Sequence, residues 1–169
     1  MTVNRPYCRW LGALAALLLW SAPAAAQEWV GTFGDWNAFR YFEGNKRVCF
    51  ISSTPIDMEP KNARRGPTYL RVSRSPDARD VVSILPGFAV EPEGTAVITV
   101  DTTEFRMRPA GQDGARAANA TQDAAMVRAM VAGTRLVARA NSGRGMTSND
   151  TYSLIGFTAA QTAMSNTCP

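Results

Sequence analysis

The sequence predicts a mainly β fold: an antiparallel β-sandwich or partly open barrel with two short helices near the C-terminus. Three observations carry this expectation. Roughly six to eight short runs alternate apolar and polar residues, and clusters of Gly, Pro, Asn and Asp separate them. Helical spacing surfaces only late, over 121–132 and again at the end of the chain. The strand–helix alternation of a doubly wound α/β domain is missing.

The first 26 residues read as a secretory signal and stand outside the fold. Arg5 and Arg9 form a basic start without an acidic residue. An apolar stretch over 10–20 follows, short of the ~20 residues a membrane span needs. Pro23 and Ala24-Ala25-Ala26 then supply a small-residue cleavage site before Gln27. Cys8 precedes the apolar stretch and leaves with the signal. The remaining domain, 27–169, is long enough to bury a core of its own.

Within it, Trp29, Phe33 and Trp36 crowd the opening segment. Aromatics this close plug one end of a core or form a carbohydrate-stacking platform. A hairpin is expected next, with strands over 37–42 and 47–53 and a turn at Glu43-Gly44-Asn45-Lys46. Residues 54–67 hold Pro55, Pro60, Gly66 and Pro67, a pattern of a polar loop. Strands follow over 69–73 and 81–85, each closed by a proline-containing turn. In the first, Leu70 and Val72 share one face, and Tyr69 and Arg71 the other. A second hairpin spans 95–100 and 104–108. Residues 110–120 are small and polar, as in a loop. Over 121–132, Met126, Val127 and Met130 make an apolar stripe, with Thr121 as N-cap and Gly133 beyond the end. Strands are expected over 136–140 and 151–154, joined by a polar glycine-containing loop. Gly156 turns the chain into a last helix that Thr158 caps and Cys168 ends.

Histidine is absent from the chain, so Ser-His-Asp triads, Cys-His pairs and histidine zinc sites are excluded. No cofactor and no metal is expected. Two cysteines, Cys49 and Cys168, remain after the signal, and in an oxidising compartment they are expected to pair.

Removing Arg5 and Arg9 from the 18 basic residues leaves 16 against 14 acidic ones, a net charge of +2. The charge is uneven. Residues 61–79 contain Lys61, Arg64, Arg65, Arg71, Arg74 and Arg79 against Asp77 alone, a local charge of +5. Guanidinium forks suit phosphates and carboxylates. Lys61, Arg64, Arg65, Arg71 and Arg74 are therefore the candidate ligand-binding residues, on an exposed basic face. The partner expected is an anionic envelope component or a host surface protein, not nucleic acid. Carboxylates for glycoside hydrolysis could come from Asp35, Glu43, Asp57 or Glu59, but their spacing singles out no pair.

Several stretches, in order along the mature chain, resemble the invasion-associated locus B family of alphaproteobacterial exported proteins. They are Phe33-Gly34-Asp35-Trp36, Val48-Cys49-Phe50, Arg65-Gly66-Pro67-Thr68-Tyr69-Leu70 and Ser142-Gly143-Arg144-Gly145. The block Thr151-Tyr152-Ser153-Leu154-Ile155-Gly156-Phe157-Thr158-Ala159-Ala160, with Cys168, is the most specific. The resemblance implies a mainly β periplasmic or outer-surface protein without a known reaction or agreed catalytic residues. Some relatives carry a further cysteine soon after the Asp-Trp pair, where this chain has Asn37-Ala38-Phe39. The function expected is that of a non-enzymatic exported envelope or host-interaction protein that acts by binding. A carboxylate-dependent hydrolase and a purely structural envelope stabiliser are the alternatives.

Overall fold

The structure is a computed structural model and describes residues 26–92, 96–111 and 114–169. The signal segment expected over 1–26 lies outside the described residues, apart from Ala26.

Eleven strands and two helices make up the described chain, in the order β1 (Glu28–Phe33), β2 (Trp36–Glu43), β3 (Lys46–Ser53), β4 (Asp57–Glu59), β5 (Tyr69–Ser75), β6 (Ala78–Leu85), β7 (Ala96–Val100), β8 (Thr103–Ala110), β9 (Gly114–Arg116), α1 (Ala120–Ala132), β10 (Arg135–Asn141), β11 (Thr147–Ser153) and α2 (Phe157–Thr167). The strands form one antiparallel sheet in the order β1-β2-β3-β5-β6-β9-β8-β7-β10-β11-β4.

β8 makes this sheet into two layers. Residues 103–107 pair with β7, whereas residues 108–110 pair with β9. A strand that changes partners midway turns a corner between packed layers. β1, β2, β3, β5, β6 and β9 lie on one side of the corner, and β7, β10, β11 and β4 on the other. Alternate residues of both layers meet in one core. Ala38, Ile51, Val72 and Ile84 come from the first layer, and Ile98, Leu136, Ala138 and Tyr152 from the second. Both helices add to this core, α1 through Met126 and Met130, α2 through Phe157, Ala160 and Met164.

The strands expected from alternation are all present, most of them longer by a few residues. Two short ones arise where loops were expected. β4 forms inside 54–67, as a three-residue edge strand against β11. β9 forms inside 110–120, between β6 and β8. Three residues carry too little periodicity to be read from sequence; a neighbouring edge with unpaired backbone groups recruits them. β11 also begins earlier than expected, at Thr147, because β10 supplies a continuous antiparallel partner down to Asn141.

Both helix caps differ from expectation. Asn119, not Thr121, caps α1, its Oδ1 accepting from the Gln122 amide at 3.0 Å. α2 has no side-chain cap; Gly156 precedes it at φ 89°. A Cβ there would run into the Phe33 carbonyl, so glycine is needed both for the left-handed turn and for the close approach of β1. Trp36, not Trp29, plugs this end of the core. It is fully buried, meets Phe157 edge-on at 4.9 Å, and donates its indole N–H to the Ser153 carbonyl at 3.0 Å. Trp29 is 62% exposed on the edge strand.

Cys49 on β3 and Cys168 at the end of α2 form the expected disulfide, with Cα atoms 6.0 Å apart. Among the described residues no helix is long and apolar enough to cross a membrane.

Candidate functional site

The residues expected to form one basic face do not stay together. Strand alternation is the first reason. On β5, Arg71 points away from the core and Arg74 toward it. Arg74 is buried and makes a bidentate pair with Asp80, at 3.0 and 2.8 Å. Ion pairing is the second reason. Lys61 is exposed and paired with Asp57, four residues back. Arg65 departs furthest from the expectation of exposure. Its side chain is 1% exposed and forks onto Asp150, itself 2% exposed, at 2.8 and 2.7 Å. Arg65 also donates to the Pro86 carbonyl at 3.3 Å. The exposed face is therefore corrected: Arg65 and Arg74 are interior, neutralised groups. Arg64 and Arg71 remain outward and carry no ion pair among the described residues.

The buried pair shapes its surroundings. Asp150 sits on the inward side of β11, opposite Ala138 and Met58. Arg65 reaches it from the loop between β4 and β5 and bridges to the loop after β6. The Gly66 amide then donates to the Gly87 carbonyl at 2.8 Å. Gly87 adopts φ 80°, and a Cβ there would stand 2.5 Å from the Gly66 carbonyl oxygen. Glycine at 87 permits this loop-to-loop contact. Tyr152 lies on the same inward face of β11. Burial raises the pKa of its phenol far above the ordinary value, the Asp150 carboxylate adds to the rise, and Arg65 opposes it.

Fixing Arg65 places Arg64 on the rim of a cleft of about 690 Å³. Phe88 and Met146 line its wall, and Arg144 from the β10–β11 hairpin stands with Arg64 around it. The hairpin is a built turn. The Ser142 hydroxyl accepts from the Met146 amide at 3.0 Å, and the Ser142 amide donates to the Met146 carbonyl at 2.8 Å. Arg144 is exposed and, like Arg64, has no carboxylate partner among the described residues. Two apolar side chains between two unpaired guanidinium groups suit an amphiphilic anion. Arg144 was not among the expected site residues. Its glycine-flanked tetrapeptide reads locally as a mobile hairpin, and only the long-range fold brings it to Arg64.

Of the four carboxylates considered for hydrolysis, Asp57 and Glu59 share one exposed face of β4, and the other two stand apart from them. Asp35 and Glu43 are at opposite ends of β2, and Asp57 is tied to Lys61 on the far edge strand. Among the described residues no group of three or more acidic, cysteine or histidine side chains is placed to hold a metal.

Known proteins place this architecture. The crystal structure of invasion associated protein B from Bartonella henselae superposes with a TM-score of 0.54, over 85% of this chain and 98% of that one, at 18% identity. That likeness is one of fold. No curated protein sequence matches the chain. The profile of the Invasion associated locus B (IalB) protein family matches residues 36–165, from the buried Trp36 to the last turn of α2. The chain belongs to the invasion associated locus B family.

Proposed function

We propose that the protein is an exported, non-enzymatic envelope protein that binds an anionic envelope component at the Arg64–Arg144 cleft. Export rests on the basic, apolar and small-residue order of 1–26, with cleavage after Ala26 and a mature domain over 27–169. A disulfide between Cys49 and Cys168 fits an oxidising compartment. Membership in a family named for invasion fits a role at the bacterial surface or in the periplasm.

The observation that carries the binding reading is the cleft itself. Among the described residues Arg64 and Arg144 are the two charged side chains on its lining, both basic, and Phe88 and Met146 provide apolar surface beside them. Such a site recognises a phosphate or carboxylate next to a hydrophobic body. The test is cosedimentation of the mature protein with lipopolysaccharide or with vesicles rich in anionic phospholipid. Replacing Arg64 and Arg144 together by Gln should weaken binding at least tenfold at low salt, with an unchanged thermal melt. Undiminished binding of a folded double variant would exclude this cleft.

A further inference from the structure

We infer that the anionic ligand is chain-like and saccharide in character, and that it continues from the cleft across the outward face of β5 and β6 to an aromatic–arginine platform on β2 and β3. This rests on the binding reading of the cleft and extends it.

The surface is continuous. The cleft shares Gly87 with a recess of about 320 Å³ beside Tyr69 and Leu85. That recess shares Leu85 with one of about 480 Å³, on which Arg71 and Arg116 both stand. A last recess of about 130 Å³ shares Arg71 and carries Phe50 and Tyr41. Together they trace a groove across the sheet.

Cross-strand register explains its chemistry. One row runs Ser52, Arg71, Ser83, Arg116 across β3, β5, β6 and β9, all on the face away from the core. The parallel row runs Trp29, Phe39, Phe50, Ser73, Val81. Phe39 and Phe50 stack at 5.0 Å, and the Arg71 guanidinium stands 5.7 Å from the Phe50 ring centroid. Arg71 Nε and the Ser83 hydroxyl, from residues directly opposite one another, are both buried and have no hydrogen-bond partner among the described residues. Arg71 and Arg116 make no ion pair among the described residues, although Asp123 lies near Arg116 on the α1 side and Glu43 borders the aromatic end.

These features select among anionic ligands. β2, β3 and β5 are paired along both sides, so the part of this face that carries Phe39, Phe50 and Arg71 offers no free strand edge for an added peptide strand. The recesses are open to solvent, which suits hydroxylated rings better than acyl chains. The exposed Trp29 ring, the half-buried Phe39 and Tyr41 rings and spaced arginines fit a polymer of acidic sugars.

The test is calorimetry of the mature protein with oligomers of galacturonic acid, from dimer to octamer, beside neutral oligomers of equal length. Affinity should rise at least tenfold from dimer to hexamer and be lost with the neutral series. Arg71→Gln, and separately Phe39→Ala, should flatten the length dependence while leaving dimer affinity unchanged, with the thermal melt held by Arg71→Gln and lowered by Phe39→Ala through the lost stack on Phe50. Arg64→Gln with Arg144→Gln should weaken every oligomer. Length-independent binding, equal binding of neutral oligomers, or an Arg71→Gln protein that retains the parent's length dependence would each overturn the inference. So would a protein that binds anionic vesicles through Arg64 and Arg144 but no acidic oligomer, and in that outcome the cleft reading survives alone.

Discussion

Arg65 and Asp150 show how the meaning of a charged residue depends on where its chain is taken. Both are almost wholly out of water, and their attraction is set against the cost of removing two ions from it. Taking away one partner leaves the other charge buried and unmatched. Asp150→Asn and Arg65→Gln should each destabilise the protein by about 3 to 5 kcal/mol in urea unfolding. A joint replacement by apolar residues of similar size should cost much less than the two single changes combined, because no lone charge is left.

Asp123 poses the opposite case. Its carboxylate in the first turn of α1 accepts from the Val82 amide at 2.7 Å, taking the place of a strand partner where β9 has ended. Burial raises its pKa, and Asp80 adds a little, while the Val82 amide and Arg116 act in the other direction. A carboxyl whose folded-state pKa is raised adds stability below its unfolded pKa and loses that contribution as pH rises through the folded value. Asp123→Asn keeps an oxygen for Val82 and removes the titration. The parent's advantage over this variant should therefore be largest below about pH 4 and shrink toward neutrality in paired thermal melts.

α2 is the element most dependent on tertiary contacts. It has eleven residues, no side-chain N-cap and neither an acidic first turn nor a basic last one. Helices of this length are marginal alone. Phe157 against Trp36, the glycine corner at 156 and the disulfide hold it. The disulfide closes a separation of 119 residues, for which chain-entropy arguments give about 4 to 5 kcal/mol as an upper figure. Cys49→Ala with Cys168→Ala should lower stability by up to that amount. In the mature parent, 27–169, thiol labelling of unfolded, unreduced protein should find no reactive sulfur. Gly156→Ala should be costly too, by more than the ~1 kcal/mol of an ordinary glycine substitution, because the new methyl group meets the Phe33 carbonyl.

Across the whole molecule, the sequence made visible what is local and periodic. Leu70 and Val72 against Tyr69 and Arg71 alternate cleanly and lie as expected on opposite faces of β5. The cysteine pair followed from arithmetic and compartment. What escaped was set by distance. Nothing near Arg65 announces Asp150, which lies 85 positions away. Nothing near Arg144 announces Arg64, and β4 and β9 exist only because other strands leave edges for them. Of the five basic candidates, strand parity and ion pairing leave Arg64 and Arg71 facing outward and unpaired. Long-range electrostatics at those residues is screened over about 8 Å at physiological ionic strength. Binding to anionic vesicles should accordingly fall steeply as salt rises, whereas binding to neutral vesicles should show no such slope.

The strand order also has a consequence in time. β3 sits well inside the first layer, yet β4, the next strand to be made, lies at the far edge beside β11. A chain delivered from its N-terminus, by ribosome or through a membrane, must hold residues 54–60 without a partner until the last strand arrives. Cys49 must likewise wait as a thiol until Cys168 emerges, 119 residues later. Contacts between such distant parts of a chain form slowly and leave strand edges open meanwhile. Completion of the native state is thus tied to the arrival of β11 and Cys168, and the first layer must stand until then with β4 unplaced and Cys49 unpaired.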